Sequence, residues 1–178
     1  VQIAVALFVV PNIVTNLIQL VQYRKSDKKI KFTRAFAVAG FVGAGLGTVL
    51  LALLSSDNLM LTVALVVLVY ISFRLARPQW QLDMTWANRL VVPMGALGGA
   101  LQGAAGISAP ISITFLNSIR LDRSQFIATI SLFFFVVGFI QLPLQVWYGI
   151  KNWERFIQSC VAVLPLSLFM PVGALIGK

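Results

Sequence analysis

Residues 95–110 read GALGGALQGAAGISAP and lie inside an apolar stretch running from Leu90 to about Ser118. Gly95, Gly99 and Gly103 fall four apart, on one face of a helix. Gly106, Ser108 and Pro110 then interrupt that helix within the stretch. In water an interrupted apolar helix is a folding defect. In a bilayer it is tolerated where the freed backbone is buried in protein or lines a cavity. Secondary transporters build substrate sites from such interrupted helices. This segment predicts a helix that ends by about Ser108 and a new turn that starts near Pro110, at membrane depth.

The rest of the chain agrees with a bilayer as solvent. Of its 178 residues 59% are hydrophobic and only 11% are charged, against roughly 25% charged in soluble domains. Six apolar segments, 1–22, 35–54, 59–76, 90–118, 126–149 and 156–177, approach or exceed the roughly 20 residues that span a bilayer. The predicted fold is an all-α integral membrane protein, a polytopic helical bundle forming a single transmembrane domain over 1–178. The chain starts on Val inside one apolar run and ends on Lys just after another, which reads as a piece of a longer protein.

The net charge of +9 lies in short loops between the spans, as the positive-inside rule expects, and not in a nucleic-acid-binding face. The loop 23–34 holds Arg24, Lys25, Lys28, Lys29, Lys31 and Arg34 against one acid, Asp27, and is assigned to the cytoplasm. The turn 55–58 carries no base. The loop 77–89, with Arg77 and Arg89, returns to the cytoplasm, and its Trp80 and Trp86 suit an interfacial belt. Arg74, near the end of the third span, can snorkel to the interface. Past residue 90 the charges stop deciding. If 90–118 crosses, Arg120 and Arg123 lie outside; if it returns on the side it entered, they lie inside, with Lys151 and Arg155 opposite. With no His and a single Cys, Cys160, zinc, haem and Ser-His chemistries are excluded, and no cofactor is expected.

An internal repeat is suggested at an offset of 126, which pairs Thr15 with Gln141 and Gln19 with Gln145. It divides the chain into 1–89, the remainder of one unit, and 90–178, most of a second. The loops that follow end in similar strings, IKFTR (30–34) and IKNWER (150–155), and the next spans contain GAGLG (43–47) and GALIG (173–177).

The stretch GALQGAAGISAP (99–110), followed by FIATISLFFFVVGFIQLPLQ (126–145), resembles the second half of the TauE/SafE sulfite exporter family. PNIVTNLIQLVQYRK (11–25) is similar to that family's second helix and basic loop. The chain departs from the pattern at Ser108-Ala109, where a Gly-Gly pair often precedes the proline. The resemblance implies transport of sulfite or organosulfonates in a multi-pass cell-membrane protein, such as one of the bacterial inner membrane, with other small organic anions as an alternative.

Within this frame the candidate substrate-binding residues are Gly103, Gly106, Ser108, Pro110 and Ser112 at the break. Gln141 and Gln145 on the fifth span join them, with Asn16 and Gln19 on the first. A half-helix starting near Pro110 presents free N–H groups to an anion, and hydroxyls and amides add donors. Glycine stripes also serve helix packing, and buried amides also bond helix to helix. A membrane scaffold or accessory subunit is therefore the rival from another class. No Asp, Glu, His or Lys lies well inside a span, so neither intramembrane catalysis nor a buried competing cation is expected. The partners expected are a small anion and the lipid bilayer, with no nucleic acid; a homo-oligomer is compatible with this reading.

Overall fold

The computed structural model describes residues 2–23, 29–76 and 80–176. Outside them fall Arg24, Lys25, Asp27 and Lys28 of the basic loop, Arg77, Gly177 and Lys178; the side chains of Arg74 and Pro171 are not described either. Seven helices form among the described residues: α1 Gln2–Tyr23, α2 Ile30–Leu53, α3 Ser56–Ala76, α4 Met84–Ala105, α5 Ala109–Ser118, α6 Arg123–Trp147 and α7 Trp153–Ile176. Three of them, α1, α2 and α6, are long and apolar enough to cross a membrane, and α3 holds a shorter apolar stretch, Asp57–Phe73. The other segments read as spans are helical but are not among those three.

Over 38–50, α2 turns small residues inward and large ones outward. On α2, Val38, Val42, Leu46 and Leu50 repeat every fourth residue on an exposed stripe. The opposite stripe is buried and carries Gly40, Gly43, Ala44, Gly47 and Leu51. Lipid tails are as apolar as leucine, so helix association depends on close contact of small residues and on polar bonds. The contact is extensive between α2 and α4. A Cβ on Gly43 or Gly47 would overlap the carbonyls of Ala96 and Ala100, and one on Gly99 or Gly103 would overlap those of Gly40 and Ala44. A Cβ on Gly95 would sit 2.7 Å from the Phe36 carbonyl. The glycine stripe of α4 is therefore the packing surface for the glycine stripe of α2.

These contacts also fix direction. Residues 40 and 44 of α2 meet 99 and 103 of α4, and both numbers rise together, so the helices are parallel. Phe36 stacks on Phe133 at 4.7 Å and Gly45 faces Ile140 and Leu144, so α6 is parallel to them too. Helix α1 runs the other way along α6, with Gln19 bonded to Ser131, Asn12 to the Phe134 carbonyl, and Ile13 against Gly138. Helix α7 runs parallel to α1.

One hydrogen bond fixes the course of segment 90–118 within the bundle. Leu82 N–H donates to the Ser118 carbonyl at 2.9 Å, so α5 comes back to the end of the bundle where α4 starts. Gln125 of α6 then lies beside Thr33 at the start of α2. Arg120 and Arg123 thus share an end with the described bases of the 29–34 segment, while Lys151 and Arg155 share the opposite end with the 54–58 turn. With the bases of the first end held in the cytoplasm, Asn117→Cys should be labelled only from the cytoplasmic side and Tyr148→Cys only from outside. Impermeant maleimide on a Cys160→Ser background checks this, and the reverse pattern would mean that 90–118 crosses.

Two boundaries differ from the sequence reading. Helix α4 starts at Met84, not near Leu90, because Asp83 caps it: its carboxylate accepts the Thr85 N–H at 3.2 Å. Hydrogen bonds from the Thr85 hydroxyl, and then from the Thr85 and Met84 N–H groups, hold the Asp83 carboxyl below its ordinary pKa. Helix α2 begins at Ile30, inside the basic loop, so Lys31 and Arg34 lie on its first turns.

Candidate functional site

Helix α4 ends at Ala105 and α5 begins at Ala109. Gly106 stands between them in the left-handed region at φ +73°, and its N–H closes the last turn on the Gln102 carbonyl. Only glycine enters that region without steric cost, which is why the helix stops here. Pro110 lies in the first turn of α5, where its missing N–H costs nothing. The Ser108 carbonyl accepts from both Ile111 and Ser112 N–H. This leaves Ala109 N–H and the linking N–H groups of Ile107 and Ser108 without an acceptor. The break sits near the end of the bundle opposite the basic loop, not in its middle: Ala104 packs among Val5, Leu51, Leu59 and Ile150, all near helix ends there.

The polar side chains around the break are buried and lack partners. Ser108 Oγ (1% exposed), Ser112 Oγ (0%) and both amide atoms of Gln145 (0%) have no hydrogen-bond partner. Ser108 does not cap α5 with its hydroxyl. Ser112 Oγ occupies the place where a Cβ on Gly98 would stand. Gln141 Nε2 donates to the Gln102 carbonyl at 3.2 Å. Because α4 and α6 are parallel, one turn further along each brings Gln145 level with Gly106. Buried polar groups are normally satisfied, so several orphans around one break call for an explanation.

The candidate residues thus separate into groups. Gln141 of α6 meets Gln102 of α4 and Ser112 of α5 meets Gly98, while Gly106 and Ser108 lie in the link between α4 and α5 and Gln145 lies one turn past Gln141. Pro110 turns its ring into an apolar groove of about 550 Å³ lined also by Tyr70, Trp80, Met94 and Thr114. Gly103 faces the α2 backbone, which leaves no room for a ligand on that side. Asn16 and Gln19 stand elsewhere, on the α1–α6 contact. Asn16 Nδ2 donates to the Asn12 carbonyl and to Asn12 Oδ1, and Gln19 Oε1 accepts from Ser131. Their bonding is interhelical and local, although Gln19 also borders an open cavity of about 440 Å³ with Thr15, Pro165 and Phe169.

Two residues near the break escaped the sequence reading. Gly98 makes space for the Ser112 hydroxyl, yet in sequence it is one more glycine beside the packing stripe. Lys151 corrects the expectation that no buried cation lies near the break. It is only 4% exposed, and its Nζ donates to the Ala6 carbonyl at 2.7 Å and to Ser159 Oγ at 3.0 Å. Burial lowers its pKa from the ordinary lysine value, with the Cys160 thiol opposing. The sequence places it in the turn between α6 and α7, where a lysine is ordinarily solvated.

The apolar outward face, the long apolar helices and the returning broken hairpin define a polytopic helical membrane protein. The chain belongs to the family described as sulfite exporter TauE/SafE, whose model matches residues 1–178. That family comprises membrane exporters of sulfite-class anions, not enzymes. No curated protein and no solved structure matches the chain.

Proposed function

We propose that this chain carries sulfite or an organosulfonate out of the cell across a bacterial inner membrane, binding the anion at the α4–α5 break. The observation that carries this reading is the set of buried, unpartnered donors there: Ser108 Oγ, Ser112 Oγ and Gln145 Nε2. Free N–H groups at the start of α5 add partial positive charge. An oxyanion with several acceptor oxygens complements that set. Packing explains Gly95, Gly99 and Gly103, as a scaffold would require, but it gives no reason to bury three donors without acceptors.

Export needs no coupling ion. The described acids Asp57, Asp83, Asp122 and Glu154 all lie at helix ends, so no carboxylate is placed to carry a proton through these helices. An anion leaving a cell with a negative interior gains about 2.3 kcal/mol per charge per 100 mV, which is sufficient for uniport.

We also read the chain as two inverted units. Asn12 and Ile13 meet Gly138, and residue 138 is the partner of residue 12 at the offset of 126. Helices α1 and α6 are antiparallel there, as a two-fold axis in the membrane plane demands. The parallel pair α2–α6 corresponds to the parallel pair α7–α1. On this reading Gln19 stands where Gln145 stands in the other unit.

The test uses Gln145→Leu in the full-length protein. Removing a buried amide that has no partner should leave the melting midpoint unchanged or raised. Flux of sulfite or an alkylsulfonate into proteoliposomes should fall at least tenfold, and Ser108→Ala should weaken anion binding by about 1–2 kcal/mol, one hydrogen bond to a charge. Full flux in a folded Gln145→Leu protein would remove the break as the binding site.

A further inference from the structure

Lys151 is a buried ammonium with no carboxylate against it among the described residues. Its neighbours are the Ala6 carbonyl, Ser159 Oγ and the Phe156 ring, 5.7 Å away. Taking an ammonium out of water without a counter-ion is expensive. A glutamine or serine could staple the α6–α7 turn to α1 with similar bonds and no buried charge. Ionisable groups kept at such a cost mark binding and transport sites.

The position is as telling as the cost. Lys151 is tied both to Gln145 and to the segment of α1 that faces Gly106. Its own N–H donates to the Gln145 carbonyl at 3.0 Å, and the Gln145 side chain is one of the unpartnered groups. Its ammonium holds the carbonyl of Ala6, the neighbour of Val5, and Val5 is the residue nearest to where a Gly106 side chain would begin, at 3.3 Å. Ser159 fixes the ammonium from behind: its hydroxyl accepts from Lys151 and lies against the carbonyls of Ala6 and Leu7. The other base of this turn, Arg155, is directed to the Ile150 carbonyl and is half-buried.

We propose that Lys151 is the cation of the anion site: its buried ammonium, held to the carbonyl of Ala6 beside Val5, attracts the oxyanion into the α4–α5 break and has the bound anion as its counter-ion. This rests on the transport reading above and adds a specific residue to it. The ammonium acts through its field, while the hydroxyls, the Gln145 amide and the α5 N-terminus make the short contacts.

The experiment is sulfite uptake into proteoliposomes by the full-length protein and four variants. Lys151→Met should raise KM roughly tenfold, the order of magnitude expected for removing one charge near the site at a protein-surface dielectric. kcat should change much less, and Lys151→Arg should recover most of the KM. A staple without an electrostatic role would instead lower the melting midpoint and leave the KM of the folded fraction unchanged. Ser159→Ala removes one anchor while keeping the charge, and should raise KM two- to threefold in a protein that folds. It decides the matter if Lys151→Met does not fold. Arg155→Gln should leave KM within twofold. An unchanged KM in folded Lys151→Met or, failing that, in Ser159→Ala, would overturn the proposal, as would an equal rise in Arg155→Gln. Absence of sulfite flux from the unaltered protein would instead overturn the transport reading itself.

Discussion

Gly99→Leu should leave almost no folded protein. The Cβ alone would overlap the carbonyl, carbonyl carbon and Cα of Gly40, all of them backbone atoms of α2. A backbone cannot rotate aside as a side chain can, so α2 and α4 would have to separate along their whole shared stripe. That separation would also break the contacts of Gly43 and Gly47 with Ala96 and Ala100. Overpacking of a well-fitted core costs about 1–3 kcal/mol where side chains can yield, and more where they cannot. A loss of about 4 kcal/mol or more is expected here, which lies in the exceptional range for one substitution. Gly43→Val should behave alike. Gly45 is the control on the same helix: its added Cβ would meet only Ile140 and Leu144 side chains at ordinary distances of 3.7 and 4.0 Å. Gly45→Ala should be neutral or stabilising, since alanine favours a helix by up to about 1 kcal/mol over glycine. Fluorescence-detected gel filtration and melting midpoints in detergent report both. Equal folding of Gly99→Leu and Gly45→Ala would contradict the close α2–α4 contact.

The glycine spacing was visible in the sequence, but its partner was not. Periodicity says that Gly95, Gly99 and Gly103 share a face. Which helix that face meets depends on the register between α2 and α4, and no local signal carries it. For the same reason Gly98, just off the stripe, looked like its neighbours although it faces Ser112 of α5. The break itself was legible because its causes are local: a glycine in the left-handed region and a proline in the next first turn. Its position near one end was not, because depth is set by where α1, α2 and α6 stop. The start of α4 was misplaced by following apolarity, which begins near Leu90, when the capping carboxylate of Asp83 decides the matter. The return of α5 was beyond charge counting, since the two candidate loops carry equal bases; the Leu82–Ser118 bond decides it. Lys151 was read as a loop cation because its burial depends on α1 and α7 closing over it, contacts more than a hundred residues apart for α1.

Gly106→Leu should abolish transport in a protein that still folds. Two separate costs arise at this residue. The first is conformational: φ is +73°, and a residue with a Cβ loses roughly 1–2 kcal/mol there. That penalty is small beside the α2–α4 contact, and the nearest atom to the new Cβ is one methyl of Val5 at 3.3 Å, which can yield by a few tenths of an ångström. The fold should therefore survive. The second cost falls on the site. A leucine side chain beginning between α4 and Val5 would project beside the link to Ser108 and α5, where the anion is proposed to bind. An anion cannot share that space with four apolar carbons, and donors shielded by them cannot reach it. The two costs can be separated by a third residue. Asparagine tolerates the left-handed region better than other side chains, so Gly106→Asn should fold with less strain and retain part of the flux, whereas Gly106→Ala should show the strain with little obstruction. The expected order of flux is wild type, then Asn and Ala, with Leu at background, while the melting midpoints of all variants stay within a few degrees of one another. Sulfite or sulfonate flux near the wild-type level in folded Gly106→Leu would show that the anion passes elsewhere. The α4–α5 break would then be a packing device like the glycine stripe beside it.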